Sequence, residues 1–182
     1  MSATDLRSGR VRLRPLAPDD LEQLVAGRNA GAGPPFERDE RAARRIQQRK
    51  IERSGRFADG RLDLGIEVDG RLAGTVEARQ PSGGLPPGVF EIGISLFDGA
   101  DRGRGLGTIA VELLTDHLFS DPGTHRVQAS TWVENSGMRR VLEKLGFVLE
   151  GVMHAFMPAG DGARHDYALY AVTRGDWEQR AG

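Results

Sequence analysis

The run with the clearest chemical potential is Arg102-Gly103-Arg104-Gly105-Leu106-Gly107-Thr108. Its alternating glycines remove Cβ atoms that would hold a ligand away from main-chain N–H groups, and its two arginines add positive charge. The run stands between an alternating apolar segment and a segment of helical period. Free N–H groups and the positive end of a helix dipole would therefore converge on an anion, with phosphate or diphosphate the natural guest. A glycine turn selected only for its dihedrals has the same spacing, so the surrounding elements must decide. A P-loop needs a Lys-Ser or Lys-Thr pair, and the chain has none. A dinucleotide fingerprint is formally matched by Gly105, Gly107 and Ala110, but it should open a parallel strand-helix-strand unit and be followed by an acidic residue about 20 positions on. Antiparallel strand patterns precede the run instead, and residues 125–131 contain no carboxylate.

Glu91 lies upstream of the glycines on an alternating segment, sharing a face with Gly93 and Ser95 and opposed to Phe90, Ile92 and Ile94. A carboxylate there can take a proton from an ammonium group, or it can simply face solvent. Glu67 and Glu77 on the preceding hairpin are further carboxylates of this kind, and Glu134 suits a helix cap. The four histidines, His117, His125, His154 and His165, have no ligand spacing and the chain has no cysteine, so no metal is assigned.

The elements that position these residues follow from periodicity. Val11-Arg12-Leu13-Arg14-Pro15 alternates as a strand, and Asp19 and Asp20 then stand where helix N-caps are favoured. Gly31-Ala32-Gly33-Pro34-Pro35 breaks regular structure, and residues 39–52 form a basic second helix with Ala42, Ala43 and Ile46 as its apolar stripe. Leu62, Leu64, Ile66 and Val68 point one way with Asp63 and Glu67 opposed, and Asp69-Gly70 turns the chain into a second strand at 72–78. A third strand carries Phe90, Ile92, Ile94 and Leu96. After the glycines, residues 109–119 have helical period, 125–133 alternate, and 136–145 place Met138, Val141, Leu142 and Leu145 on one face before Gly146. Two last strands, 147–157 and 163–172, are joined by Ala159-Gly160-Asp161-Gly162. This order predicts a single α/β domain over residues 1–182 with a mixed, mostly antiparallel sheet flanked by helices.

With 182 residues, 38% apolar and 28% charged, the composition is that of one soluble globular unit. No apolar run approaches the roughly 20 residues a membrane span requires, and residues 1–10 lack the apolar core of a secretory signal, so a cytoplasmic location is expected. A formal net charge of -1 offers no global attraction to nucleic acid. The eight Lys or Arg residues against four acidic ones within 37–56 suit a solvated helix face.

The glycine run resembles the R/Q-x-x-G-x-G/A motif with which the GNAT acetyltransferases bind the pyrophosphate of coenzyme A. About thirty residues later, Asn135-Ser136-Gly137-Met138-Arg139-Arg140-Val141-Leu142-Glu143-Lys144-Leu145-Gly146-Phe147 is similar to the family's second signature, N-x-x-S-x-x-x-x-E-K-L-G-F. The opening 11–16 and the ending Asp166-Tyr167-Ala168-Leu169-Tyr170 with Trp177 resemble the branch of the RimJ and RimL ribosomal-protein acetyltransferases, so the likeness spans nearly the whole chain. It implies a sheet splayed at the cofactor site and acetyl-CoA as co-substrate. Ser95, Leu96 and Phe97 would pair with the pantetheine arm, Leu96 N–H would polarise the thioester carbonyl, and the N–H groups of Gly103, Arg104, Gly105, Leu106, Gly107 and Thr108 would hold the pyrophosphate, with Arg102 and Arg104 adding positive charge. Asn135 would hydrogen-bond the pantetheine, cap the following helix, or do both.

The resemblance further implies transfer of the acetyl group to a primary amine by direct attack, with Glu91 at the position where the histone-acetyltransferase branch carries its glutamate base. Met138 replaces the motif's Ser and Leu142 the Tyr that relatives use as general acid, which leaves that role unassigned, with Tyr167 and Ser136 as substitutes. The acceptor would sit between residues 28–56 and 153–165. It would be a small-molecule amine or a peptide N-terminus, with a basic second helix disfavouring polycations. The chain would act as a monomer or homodimer, without nucleic acid or membrane partners. The alternative is an acyl-CoA-binding or regulatory domain that has lost the chemistry.

Overall fold

The structure, a computed structural model, describes residues 3–27, 39–80, 84–158 and 162–180. Strands β1 (Leu6–Ser8) and β2 (Val11–Arg14) form a hairpin, and a 3-10 turn at Pro18–Asp20 leads into helix α1 (Leu21–Gly27). Helix α2 (Glu40–Arg53) follows, then β3 (Arg61–Val68), β4 (Arg71–Arg79) and β5 (Val89–Leu96). A 3-10 turn at Gly99–Asp101 precedes α3 (Leu106–Phe119), β6 (Arg126–Trp132) and α4 (Ser136–Lys144). The hairpin β7 (Val148–Pro158) and β8 (Arg164–Thr173) and helix α5 (Arg174–Arg180) complete the described chain. The strands make one sheet in the order β1-β2-β3-β4-β5-β6-β8-β7, antiparallel except for β5 with β6.

Local chemistry fixes the element ends. The Asp39 carboxylate accepts from the N–H groups of Arg41 and Ala42 and starts α2. Asp69 and Gly70 both have positive φ, 50° and 82°, as a two-residue hairpin turn between β3 and β4 requires. At α4, Asn135 Oδ1 accepts from Met138 N–H at 3.2 Å, and Gly146 at φ 81° lets the chain leave the helix.

Alternation sorts the sheet into two faces. On one, Leu13, Leu62, Leu64, Ile66, Val76, Ala78, Ile92, Val127 and Ala129 join Ala110, Val111 and Leu114 of α3 and Leu142 and Leu145 around α4 in the main core. Trp177 of α5 closes that core against Phe119 and Phe147. On the other face a smaller cluster of Leu16, Leu24 and Leu72 packs with Ile51 and Phe97 beneath α1 and α2. Gly27 is required at the end of α1, because a Cβ there would fall 2.4 Å from the Phe97 ring.

Several elements differ from the sequence expectation. Strand β1 and helix α5 carry no strong periodicity and are held by their neighbours. Asp20 does stand at the entry to α1, but its carboxylate is committed to Arg14, at 2.8 Å, and to the Ala17 N–H, at 2.7 Å. Asp63 does not face solvent: it is fully buried beneath α2. On α2 the buried side runs through Ala43, Lys50 and Ile51 rather than Ala42, Ala43 and Ile46, since Ile46 is exposed. The glycine-proline break at 31–35 and the turn residues 159–161 lie outside the described residues.

Candidate active site

The interior of the sheet opens where β5 meets β6. Their parallel pairing lasts for three positions only, Val89 with Arg126, Phe90 with Val127 and Glu91 with Gln128. Beyond that point β5 stays with β4 as far as Leu96 opposite Gly74, while β6 stays with β8 as far as Trp132 opposite Tyr167. The Phe97 N–H donates to Ala73 O at 2.9 Å. By strand alternation the backbone groups of Gly93 and Ser95 turn toward β4 like those of Phe97, and those of Ile92, Ile94 and Leu96 turn into the gap. Buried backbone groups left without a strand partner require another one. The gap is part of a cleft of about 550 Å³ lined by residues 92–96, Ser130, Thr131, the start of α3 and one flank of α4.

The glycine run forms one end of that cleft. Gly103 and Gly105 have φ of 72° and 78°, and Gly105 is the left-handed N-cap of α3. A Cβ on either would meet no atom within 4 Å, so these glycines are dictated by backbone conformation rather than by packing. Leu106, buried in the core, anchors the first turn, while Gly107 and Thr108 line the cleft with Arg102, Gly103 and Gly105. Arg104 and Phe97 are not among the lining residues.

Asp101, also lining the cleft, is 2% exposed and is held by Arg71 at 2.6 Å, with Arg104 at 3.9 Å. The Arg71 hydrogen bond keeps the Asp101 carboxyl below its usual range. Its negative charge beside the glycine run is offset by those two arginines.

Helix α4 supplies a wall that the sequence reading missed. Gly137, Arg140, Val141 and Lys144 recur at intervals of three and four, with Met138, and line the cleft together. That period, read onward from Asn135, was the available signal. Asn135 lines the cleft too, with Oδ1 capping the helix and Nδ2 donating to Thr131 Oγ1 at 3.1 Å. The Glu and Leu of the second motif have structural work. Glu143 accepts from the fully buried Tyr170 hydroxyl at 2.7 Å, which in turn accepts from Arg139 Nε at 3.0 Å, and Leu145 sits in the core.

Leu142, where relatives place a tyrosine, is also buried in the core, and the lining residues include no tyrosine. Ser136 is exposed at the start of α4 and outside the lining. Tyr167, outside the lining, is half-buried on the sheet face that α1 and α2 cover elsewhere, and burial pushes its hydroxyl pKa up.

Glu91 occupies the last paired position of β5, at the vertex of the opening, on the face that α1 and α2 cover elsewhere. Its carboxylate accepts from Arg79 Nη2 at 2.7 Å. Glu77, opposite Gly93, lies so close over it that a Cβ on Gly93 would approach its Oε1 to 3.2 Å. Burial raises the Glu77 pKa, and the charges of Lys50, Arg61 and Arg79 outweigh that effect and leave the carboxyl below its usual range. Asp63 is bound by Arg53 at 2.7 Å, with Lys50 and Arg61 each at 3.6 Å. Glu67 is taken up by Arg14 at 2.6 Å on the same face. Among the described residues no group of three or more His, Asp or Glu side chains could hold a metal ion, and no helix is long and apolar enough to cross a membrane.

A family model described as an acetyltransferase (GNAT) domain matches residues 10–148. The Bacillus subtilis (strain 168) protein named "Probable N-acetyltransferase YjcK" is 38% identical over 111 residues, 61% of this chain and 60% of that protein. A "Kanamycin resistance protein" of Rhizobium radiobacter is 37% identical over 67 residues, covering 37% of this chain and 62% of the relative. The chain thus spans about three fifths of the length of these two curated relatives. Among solved structures, Mycobacterium smegmatis RimJ in complex with CoA-disulfide superposes with a TM-score of 0.72 at 26% identity, over 95% of this chain and 87% of that one.

Proposed function

Because the chain belongs to the acetyltransferase (GNAT) domain family, we propose that it is an acetyl-CoA-dependent N-acetyltransferase acting on a primary amine in a ternary complex. The observation that carries this reading is the opening of β5 from β6 directly beside a helix start with two left-handed glycines. An extended amide-bearing chain ending in a pyrophosphate needs both features. The likeness to RimJ in complex with CoA-disulfide supports the same occupant.

In this reading the N–H groups at Gly103, Gly105, Leu106, Gly107 and Thr108 hold the pyrophosphate, helped by Arg102 and Arg104, while Ser95 to Phe97 and Asn135 guide the pantetheine. The co-substrate supplies an activated acetyl thioester. Leu96 N–H, turned into the gap, is placed to donate to an oxygen that gains negative charge as the amine attacks. The N–C bond forms, the C–S bond breaks, and the sulfur leaves as thiolate. The amine must first lose its ammonium proton, and Glu91 at the vertex is the carboxylate best placed to take it, directly or through water. The sulfur is then protonated from solvent, since neither Met138 nor the buried Leu142 can donate.

The test is thiol release from acetyl-CoA with a panel of amines and peptides, alongside calorimetry of acetyl-CoA binding. Micromolar binding and turnover of at least one amine are expected, a free energy of about -8 kcal/mol for a micromolar dissociation constant. Failure to bind acetyl-CoA would refute the site, and binding without turnover of any amine would make the chain an acyl-CoA-binding domain.

A further inference from the structure

We infer that the acceptor is an amine bearing a single positive charge next to an apolar or aromatic group, and that polycations such as polyamines and aminoglycosides are excluded. This inference rests on the acetyltransfer reading above and names the acceptor class of that same site.

The first observation is electrostatic. On the side of the sheet facing α2, the carboxylates of β3, β4 and β5 around the vertex are Asp63, Glu77 and Glu91, and each is already bound. Asp63 holds Lys50 and Arg53, Glu77 holds Arg61, and Glu91 holds Arg79. Four cations thus stand against these three carboxylates. Arg53, Arg61 and Arg79 each keep about a third or more of their side chains exposed. A polycation is bound through uncompensated carboxylates, and a wall that has neutralised its own works against it.

The second observation is apolar. Trp132, Tyr167 and Met153 share one row across β6, β8 and β7 on this same face, immediately beyond Ser130 of the cleft lining. His165 adds a ring 4.7 Å from Trp132, and the exposed Phe156 lies 5.8 Å from Tyr167. The described helices on this face, α1 and α2, pack mainly on β3 and β4, whereas the aromatic row crosses β6, β8 and β7. Such a surface suits a ring or aliphatic side chain held beside the reacting amine, as at the N-terminus of a peptide with an apolar first residue, and a bare polyamine has nothing to offer it.

The experiment compares kcat/KM for phenylethylamine and a Phe-Ala dipeptide with that for spermidine and kanamycin, using the full chain and saturating acetyl-CoA. The aromatic monoamines should be preferred by at least about tenfold. Their KM should change by less than about twofold between roughly 50 and 500 mM NaCl, as for one charge beside carboxylates that are already paired. Trp132→Leu should raise KM for the aromatic acceptors by about three- to tenfold without altering acetyl-CoA affinity, and His165→Ala provides the same readout should the first variant fold poorly. Preferred turnover of spermidine or kanamycin overturns this inference and leaves the acetyltransfer reading standing. Acetyl-CoA binding with no turnover of any of the four overturns this inference, and the wider panel of amines and peptides then decides the acetyltransfer reading.

Discussion

Gly105 and Gly107 stand two residues apart, and an added side chain should affect them in opposite ways. Gly105 has φ 78° and ψ -5°, a left-handed conformation that costs an L residue about 1–2 kcal/mol. Gly107 lies inside the first turn of α3, where an added Cβ would rest 3.7 Å from Ile94 Cδ1, 3.9 Å from Val141 Cγ2 and 4.0 Å from Leu96 Cδ1, all ordinary contacts. Alanine at a helical position is worth up to about 1 kcal/mol over glycine. For a domain of this size about 1 kcal/mol moves Tm by roughly 2–4 °C, so Gly105→Ala should melt a few degrees lower and Gly107→Ala up to a few degrees higher. Ligand binding separates them further. A Cβ on Gly105, which lines the cleft, would meet no atom of the protein within 4 Å, so a larger side chain can extend into the space a ligand would use. Gly105→Val should therefore weaken acetyl-CoA binding at least tenfold, about 1.4 kcal/mol, while Gly107→Ala should stay within threefold, about 0.65 kcal/mol. Thermal denaturation and calorimetry on the variants decide the matter. A folded Gly105→Val protein with unchanged affinity would show that the loop is a turn and not an anion cradle. A rise in Tm for Gly105→Ala would show that its left-handed backbone is not required.

Replacing Glu91 by Gln keeps its shape and removes its basicity; kcat should fall by about 100- to 10,000-fold, partly recovering at high pH as more amine becomes neutral, with acetyl-CoA affinity unchanged in calorimetry. Asp63→Asn would leave Lys50, Arg53 and Arg61 around a neutral buried group and should destabilise the fold by about 3–5 kcal/mol, read by urea denaturation. Glu77 has a folded pKa below its unfolded one, so its contribution is complete above the usual carboxylate range and is lost as pH falls through the depressed value. Stability measured below about pH 4 should consequently depend less on pH in Glu77→Gln than in the parent. Tyr170→Phe removes one buried hydroxyl from between Arg139 and Glu143, and a loss of about 0.5–1.5 kcal/mol is expected in the same denaturation assay.

The parts of the site that were legible in the sequence are those whose signal is local. Glycines at 103, 105 and 107 before a helical period announce a helix start with exposed N–H groups, and Asn135 three residues before Met138 announces a cap. Asp69-Gly70 fixed a hairpin for the same reason, since only a turn with positive φ at both positions suits that pair between alternating segments. The opening of β5 from β6 has no local signal. It depends on which strand each continues to pair with after Glu91 and Gln128, a choice made by β4 and β8. The resemblance supplied that opening, and periodicity alone could not. Lys144 and Arg140 are another case: their helix was evident, but which side of it met the cleft depended on where α3 lay.

The basic second helix shows most clearly why charge patterns are ambiguous without topology. Read alone, Arg41, Arg44, Arg45, Arg49, Lys50 and Arg53 favour a solvated face, though the wall of an acceptor site would carry the same residues. Helical spacing divides them. Arg41, Arg45 and Arg49 are exposed, whereas Lys50 and Arg53 turn under the helix toward Asp63, which lies on a strand and is fully buried. A lysine on the buried side of a helix looks like an error in an apolar stripe until its partner is known, and the partner's own position looked solvent-facing because Asp63 alternates with leucines. Each anomaly accounts for the other: Asp63 can be buried because cations come down to it, and Lys50 can point inward because the carboxylate is there. The same pairing removes Asp63 from the carboxylates free to attract an amine. One set of contacts thus closes the second core and sets the charge of the surface beside the opened strands.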